Sequence, residues 1–562
     1  MRCAFACALL ALLVPAVASG GRARLADAPV VWFEDDRRDI AGPAPRDPSV
    51  TWDYFEDSWG MPRERWTDPV RLVRRAGTLF GGDHVPHADN VNALDEVPNS
   101  TWFTNRIGLF ALSPRACAQG PGGEGPARGA PWTVVSAKTQ GVTPGFNIRD
   151  ARGDVYVIKF DPPGYLGMTT AAGVASNRIL YAAGYNVPVD HAVTFARATI
   201  VVAPGATIRD ATGARRPMAE ADVDTILARV ERLPDGAYLA LASKFIAGEP
   251  LGPFPYRGRR KDDPNDRVDH ENRRELRGLY VLAAWMNHFD TKQQNSLDMY
   301  VEEDGKRFVK HYLIDFASTL GASADYLNPR YGYEFGLDVM AVLRRSLTLG
   351  LVEDRWRTRT RDPDLAEVGF FDSETFDPGK FRPLQPNHAF ANTTDRDGYW
   401  GAKIVAAFRD AHIAAIVAEA GYRDPRAAAR VARVLRENRD AIARHFFDRV
   451  PPLDFFVVRG ERLTFRDLGV DYALYPGTRS RYRARAAAVD ADREQEGGGW
   501  REWVELAQTD LPLASGEVAA ALATSRRPFL AVEVQVDRGT GWSEGVIAYW
   551  ARASGRVVAV ER

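Results

Sequence analysis

The hydrophobic periodicity of this chain changes twice along its length, and those two changes constrain its fold more than any other feature. Between Trp132 and Ile246 apolar residues recur at every second position in short runs, the spacing of half-buried strands. Thr133 to Lys138 reads as one strand. Phe146-Asn147-Ile148-Arg149 and Asp154 to Phe160 read as a hairpin about the turn Asp150-Ala151-Arg152-Gly153, and Ala237 to Ile246 as a further strand. One alanine-rich stretch, Thr169 to Ala183, interrupts them as a helix ending at Gly184. From Arg273 onward the period lengthens to that of helices, with Leu276, Leu279, Tyr280, Ala283 and Met286 on one face. Long helices are expected at Trp400 to Gly421 and Asp424 to Phe447. After Pro451-Pro452 the two-residue period returns, with Leu530, Val532, Val534 and Val536 alternating with polar or small residues before the turn Gly539-Thr540-Gly541 and a strand over Val546 to Trp550. The expected class is α+β: sheet first, helices second, and a β-rich domain over 453–562 last.

With 562 residues, 45% of them hydrophobic, the chain can fill several cores. Lys plus Arg total 73 against 74 for Asp plus Glu, so no global basic field recommends nucleic acid as a partner. Three cysteines exclude a disulfide framework, and only Cys117 lies outside the N-terminal apolar stretch. That stretch has Arg2, an apolar run from Ala4 to Val17, and Ala16-Val17-Ala18 before Ser19. It reads as a signal peptide over 1–18, so the protein is expected to be exported, to a periplasmic or extracellular space. No later segment has the roughly 18 apolar residues of a membrane span. Residues 19–130 read as an irregular extension. Within it Asp83, His84, His87 and Asp89 have metal-ligand spacing, but polar loops produce such clusters often, and a hydrogen-bonded loop is expected there.

The chemistry is concentrated where the helix ending at Met286 runs into His288-Phe289-Asp290-Thr291-Lys292-Gln293-Gln294-Asn295, followed by the apolar strand Tyr312-Leu313-Ile314 and then Asp315-Phe316-Ala317. His-x-Asp-x-Lys-x-x-Asn followed by Asp-Phe resembles the catalytic loop and metal-binding aspartate of protein-kinase-like phosphotransferases. Only nine lysines and fifteen asparagines occur in the chain. A chance match at both offsets from some aspartate is therefore expected roughly 0.02 times. Helix, glycine and Val187-Pro188 in the run Ala182 to Pro188, with no Ala-Pro-Glu after Asp315, look like the atypical branch: HipA-like, lipid-kinase-like and secretory-pathway or CotH-like kinases.

That resemblance implies a two-lobed fold, with an N-lobe over 131–250 and a helical C-lobe over 251–452, using ATP or another nucleotide with Mg or Mn. Asp290 would orient or deprotonate the acceptor hydroxyl, and Lys292 would face the transferring phosphate. Asn295 and Asp315 would hold the metal, with His288 bracing the loop. Lys159, near the end of the third strand, would hold the α- and β-phosphates. Gly141 to Gly145 would cover the phosphates, although Gly-x-Gly-x-x-Gly is absent, and Ser243 and Phe245 would lie where strand and hinge contact adenine. The resemblance is broken in one place. Kinases fix the strand lysine with a helix glutamate, yet no acidic residue occurs between Asp161 and Asp190, and Gly173 lies near where it would be expected. The implied function is phosphoryl transfer to a protein or small-molecule hydroxyl. The rivals are a pseudokinase that binds nucleotide or a partner, and a nucleotidyl (AMP) transferase.

Overall fold

The computed structural model describes residues 23–46, 49–61, 85–138, 144–209, 214–495, 499–514, 516–523 and 525–562. The stretch 1–18, Asp83, His84 and Gly141 lie outside the described residues. The chain divides into two compact units.

The larger unit, 31–452 with 467–480 and 562, opens on a seven-stranded sheet. Its strands are β1 (Trp132–Ala137), β2 (Gly145–Arg149), β3 (Val155–Lys159), β4 (Asp190–Phe195), β5 (Ile200–Arg209), β6 (Arg215–Pro217) and β7 (Tyr238–Lys244). Their spatial order is β4-β7-β3-β2-β1-β5-β6, antiparallel throughout except for the parallel pair β1 and β5. The turn between β2 and β3 is closed by the Asp150 carboxylate, which accepts from the N–H of Arg152 at 2.9 Å and of Asp154 at 3.0 Å.

Strand alternation divides the sheet's side chains cleanly. Tyr156, Ile158, Val193, Phe195, Ala240 and Ala242 point into a core closed by Val223 and Leu227 of the short helix Glu220–Leu227. Val157, Lys159, Asp190, Leu241 and Ser243 therefore share the opposite face, where helix α1 (Met168–Ala183) packs. The fit is close at Gly173, where an added Cβ would stand 3.2 Å from Leu241 Cδ2. Asp161 caps α1: its carboxylate accepts from the N–H groups of Gly167, Thr169 and Thr170 and from both threonine hydroxyls.

From β7 the chain runs through 245–248 into a three-stranded antiparallel sheet of β8 (Glu249–Gly252), β9 (Ser296–Glu303) and β10 (Lys306–Leu313). The β9–β10 turn is Asp304-Gly305, both at positive φ (51° and 72°), the backbone that matches strand twist in two-residue hairpins. Four of the helices beyond β7 position the site: α2 (Arg274–Trp285), α3 (Asp395–Ala407), α4 (Asp410–Ala420) and α5 (Pro425–Phe447). Gly278 lets α2 and α3 approach, since a Cβ there would lie 2.6 Å from the Trp400 ring. Buried Arg274 and Arg277 converge on Asp397 at 3.1 and 3.3 Å. The single helix expected over Trp400 to Gly421 is two helices. At Phe408 the chain leaves the helical conformation to bury that ring against Trp285, and His412 Nδ1 accepts the Arg409 N–H to start α4. Residues 31–46 are irregular and lie along β8 to β10: Arg46 N–H donates to Leu251 O, and Tyr300 OH to Ile40 O.

The smaller unit comprises 453–466, 481–561 and the described residues 23–30. Strands β11 (Leu453–Arg459), β12 (Arg462–Asp467) and β15 (Asp510–Pro512) form one sheet. A second contains β13 (Arg481–Val489), β14 (Val504–Leu506), β16 (Phe529–Asp537), β17 (Val546–Ala551) and β18 (Arg556–Glu561), in the order β14-β13-β16-β17-β18. Its inner face buries Ala487, Val489, Phe529, Ala531 and Tyr549 with Leu25. The same face carries, further along β13, a ladder in which Arg483 lies over Trp503 and Trp542, at 4.2 and 4.4 Å, and Arg485 over Trp500 and Trp503. Arg483→Ala removes two cation–π contacts and the bonds to Gln535, and should destabilise this unit by about 1–2 kcal/mol. An unchanged melting temperature would show the ladder contributes nothing.

Candidate functional site

Helix α2 ends at Trp285 with Met286 as its C-cap, and Asn287 takes the left-handed conformation (φ 48°) to turn the chain. His288 N–H closes back onto Ala283 O at 2.7 Å. The His288 ring is buried beside Phe316, with Nδ1 3.4 Å from Ser318 O. Burial holds its pKa below the ordinary imidazole value, outweighing Asp290 and Asp315, so at neutral pH it braces the loop as an uncharged ring. Beyond it, Lys292 Nζ donates to Asp290 Oδ2 at 2.9 Å. Asn295 Nδ2 donates to Asp290 O at 2.7 Å and to its Oδ2 at 3.1 Å.

The β9–β10 hairpin brings the remaining carboxylate to this loop. Its register ends with Ser296 opposite Leu313, so the residues just outside it also meet: Ile314 N–H donates to Asn295 O at 3.0 Å. Asp315 follows, in the left-handed region at φ 61°, where a residue other than glycine is uncommon. Buried Phe316 anchors the next position. From the sheet, Lys159 Nζ reaches Asp315 Oδ1 at 3.0 Å. Burial works to raise the Asp315 pKa, but Lys159 first, then Lys138 and Lys292, override it and hold the carboxyl below its usual range.

Asp290, Lys292, Asn295, Asp315 and Lys159 are thus tied into one hydrogen-bonded and charged cluster. Gly145 opens β2, where an added Cβ would stand 2.2 Å from Ile158 O, and its carbonyl accepts the Lys138 N–H. Only glycine fits that approach. Ser243 shares the sheet face of Lys159, whereas Phe245 lies away from the ion pair. Ser243 pairs with Val157 and the Phe245 N–H with Val155 O, so Phe245, half exposed, lies about 13 Å along β3 from Lys159.

Two residues that the sequence pattern does not single out join the site. Lys138 follows β1, and burial, then the like charge of Lys159, bring its pKa down to about 8 against the pull of Asp315. A bulge between Val134 and Ser136 shifts its register, so simple alternation does not place it. Asp190 begins β4, 2% exposed, on the face that carries Lys159. The one sequence signal for it is an acidic residue at the start of an apolar strand.

No group of three His, Cys, Asp or Glu side chains able to hold a metal occurs among the described residues. The donors here are two carboxylates and one amide. Because the Asn295 NH₂ is committed to Asp290, its carbonyl oxygen is the atom left for a cation. Hard oxygen donors, fewer than a full shell, fit Mg²⁺ or Mn²⁺, which share their coordination with water and phosphate. Lys159, Lys138 and Lys292 supply the cationic side that a polyphosphate needs.

No family model and no curated protein matches the chain. Solved structures similar to it include two kinases. One is the Helicobacter pylori proinflammatory kinase CtkA, at 11% identity over 55% of this chain and 94% of that chain, with a TM-score of 0.29. The other is the Golgi casein kinase, at 10% identity over 67% of this chain and 95% of that chain, with a TM-score of 0.20. Both neighbours are kinases; with structural overlap this low, the functional assignment rests on the residues described above.

Proposed function

We propose that the chain is a kinase-like phosphotransferase, moving a phosphoryl group from a nucleotide to a hydroxyl of a protein or small molecule. The observation that carries this reading is the 3.0 Å contact of Lys159 Nζ with Asp315 Oδ1, beside a loop whose Asp290, Lys292 and Asn295 are bonded to one another. The bound nucleotide supplies the γ-phosphoryl group, and Mg²⁺ or Mn²⁺ the countercharge for its oxygens. Asp315 and Asn295 are the residues that would hold the metal, while Lys159 and Lys138 would hold phosphate oxygens. Asp290 accepts the proton of the attacking hydroxyl at its carboxylate, and Lys292, 2.9 Å away, fixes that carboxylate and faces developing negative charge. The apolar run before Ser19 supports action outside the cytoplasm. Among the described residues no helix is long and apolar enough to cross a membrane.

The test is transfer of label from γ-³²P-ATP and, in parallel, α-³²P-ATP with Mg²⁺ or Mn²⁺, to the protein itself and to envelope extract. Transfer of the γ label alone is expected. Transfer of the α label would assign the nucleotidyl-transferase reading, and nucleotide binding without either transfer the pseudokinase reading.

The lysine at the rim gives a pH signature. Lys138 keeps its charge below about 8 and loses it above, so affinity for the metal–nucleotide should fall as pH rises from 7 to 9. Lys138→Met should bind more weakly at pH 7 and lose that fall. An affinity that is flat over this range in the wild type would remove Lys138 from the phosphate site.

A further inference from the structure

We propose that Asp190 is the second anionic partner of Lys159, receiving it when Asp315 turns to a metal, and so does from a strand what a helix glutamate does in kinases. The proposal deepens the phosphotransferase reading and rests on it.

The need arises from the position of Lys159. Among the described residues its ion pair is with Asp315, the carboxylate that the proposed function assigns to the metal. Once that carboxylate serves a cation, the lysine needs another anion to hold it in place for the phosphates. Helix α1 offers none, having no acidic residue from Met168 to Ala183. Nor is there space for one at its closest approach to the sheet. Gly173 lies against Leu241, the residue paired with Lys159 in the β3–β7 register, and even a Cβ would press on Leu241.

Asp190 meets the need from two strands away. It pairs with Ser243, which pairs with Val157, two residues before Lys159, and all four lie on the sheet face turned to α1. Strand spacing puts the Cα atoms of Asp190 and Lys159 about 12 Å apart, a distance that an extended lysine and an aspartate bridge. The carboxylate is 2% exposed, yet among the described residues its Oδ1 has no hydrogen-bond partner. A buried, half-satisfied carboxylate is costly unless a cation comes to it. The charged groups facing it are Lys159 from β3, Arg178 from α1 and Asp315 from the segment after β10. Arg178 is already committed: its guanidinium donates to Ala118 O at 2.9 Å, Asn177 Oδ1 at 2.8 Å and the Asp190 backbone O at 2.9 Å. Lys159 is the cation with freedom to move. Burial, opposed by the Ser243 hydroxyl and Lys159, raises the Asp190 pKa to about 6, so at neutral pH the carboxylate is ionised and able to receive it.

The handover can be read without nucleotide. Asp315→Asn mimics withdrawal of the first partner, and acetylation of Lys159 by an N-hydroxysuccinimide ester, followed by mass spectrometry, reports whether the amine is still held. Lys159 should label in Asp315→Asn at a rate within about twofold of wild type. It should label about tenfold faster in the double variant Asp190→Asn/Asp315→Asn, the worth of one charge-assisted hydrogen bond. A double variant that labels no faster than Asp315→Asn overturns the proposal and leaves the phosphotransferase reading standing. Should the double variant not fold, Asp190→Asn alone decides: its affinity for Mg²⁺-ATP should fall about tenfold while its ligand-free melting temperature stays close to wild type. Unchanged affinity overturns the proposal. Failure of the wild type to bind any nucleotide would instead overturn the phosphotransferase reading, leaving the labelling result as the measure of the Lys159–Asp190 pair.

Discussion

Asp290→Ala should slow phosphoryl transfer by about 10² to 10⁴ while leaving nucleotide affinity nearly intact, because the proposed role of this carboxylate is toward the acceptor hydroxyl rather than the nucleotide. The loop should survive the change. Asn295 keeps its 2.7 Å bond to the residue-290 backbone carbonyl, His288 remains closed onto Ala283, and only the side-chain contacts of Lys292 and Asn295 are lost. The measurement is single-turnover transfer beside titration of nucleotide binding. A rate equal to wild type would remove Asp290 from the chemical step and leave the fold as described.

The second large effect has the opposite signature. Asp315→Asn removes the carboxylate that holds Lys159 in the resting site and that would carry the metal, so Mg²⁺-dependent nucleotide affinity should fall by about 10- to 100-fold, the scale of losing charge-assisted contacts at a half-exposed carboxylate. Transfer should fall with it. Affinity measured in EDTA should change little, since the carboxylate's main service to the nucleotide passes through the cation. Equal losses with and without metal would mean that Asp315 acts only on Lys159.

The two variants together separate the roles of two carboxylates that the sequence presents as one motif. Much of that motif was legible because it is local. His288 to Asn295 follow directly from a helix with a clear 3.6-residue period, and β1 to β3 alternate around short turns, so Lys159 could be placed at a strand end without knowledge of the rest. The meeting of Asn295 with Asp315 depends on the β9–β10 hairpin, of which alternation marked only Tyr312 to Ile314. Asp304-Gly305, a two-residue turn signal, was the available clue to the remainder.

What stayed hidden depends on pairings between distant segments. Asp190 reaches the Lys159 face only because β7, some fifty residues on, inserts between β4 and β3, and no local pattern announces that order. Lys138 is displaced by a bulge. The division between α3 and α4 has neither glycine nor proline; the chain breaks there because burying Phe408 against Trp285 outweighs helical continuity at one residue. These are tertiary decisions overriding a correct local pattern.

On the proposed function, one site lined by Lys159, Asp290, Asn295 and Asp315 binds a metal–nucleotide. Thermal unfolding of the purified protein with ATP, GTP and other nucleotides, each with Mg²⁺, Mn²⁺ or EDTA, tests it most directly. A nucleotide present at a hundredfold excess over its dissociation constant should stabilise the folded state by about 2.7 kcal/mol, and this only when metal is present. A melting temperature unchanged by every combination would contradict the claim.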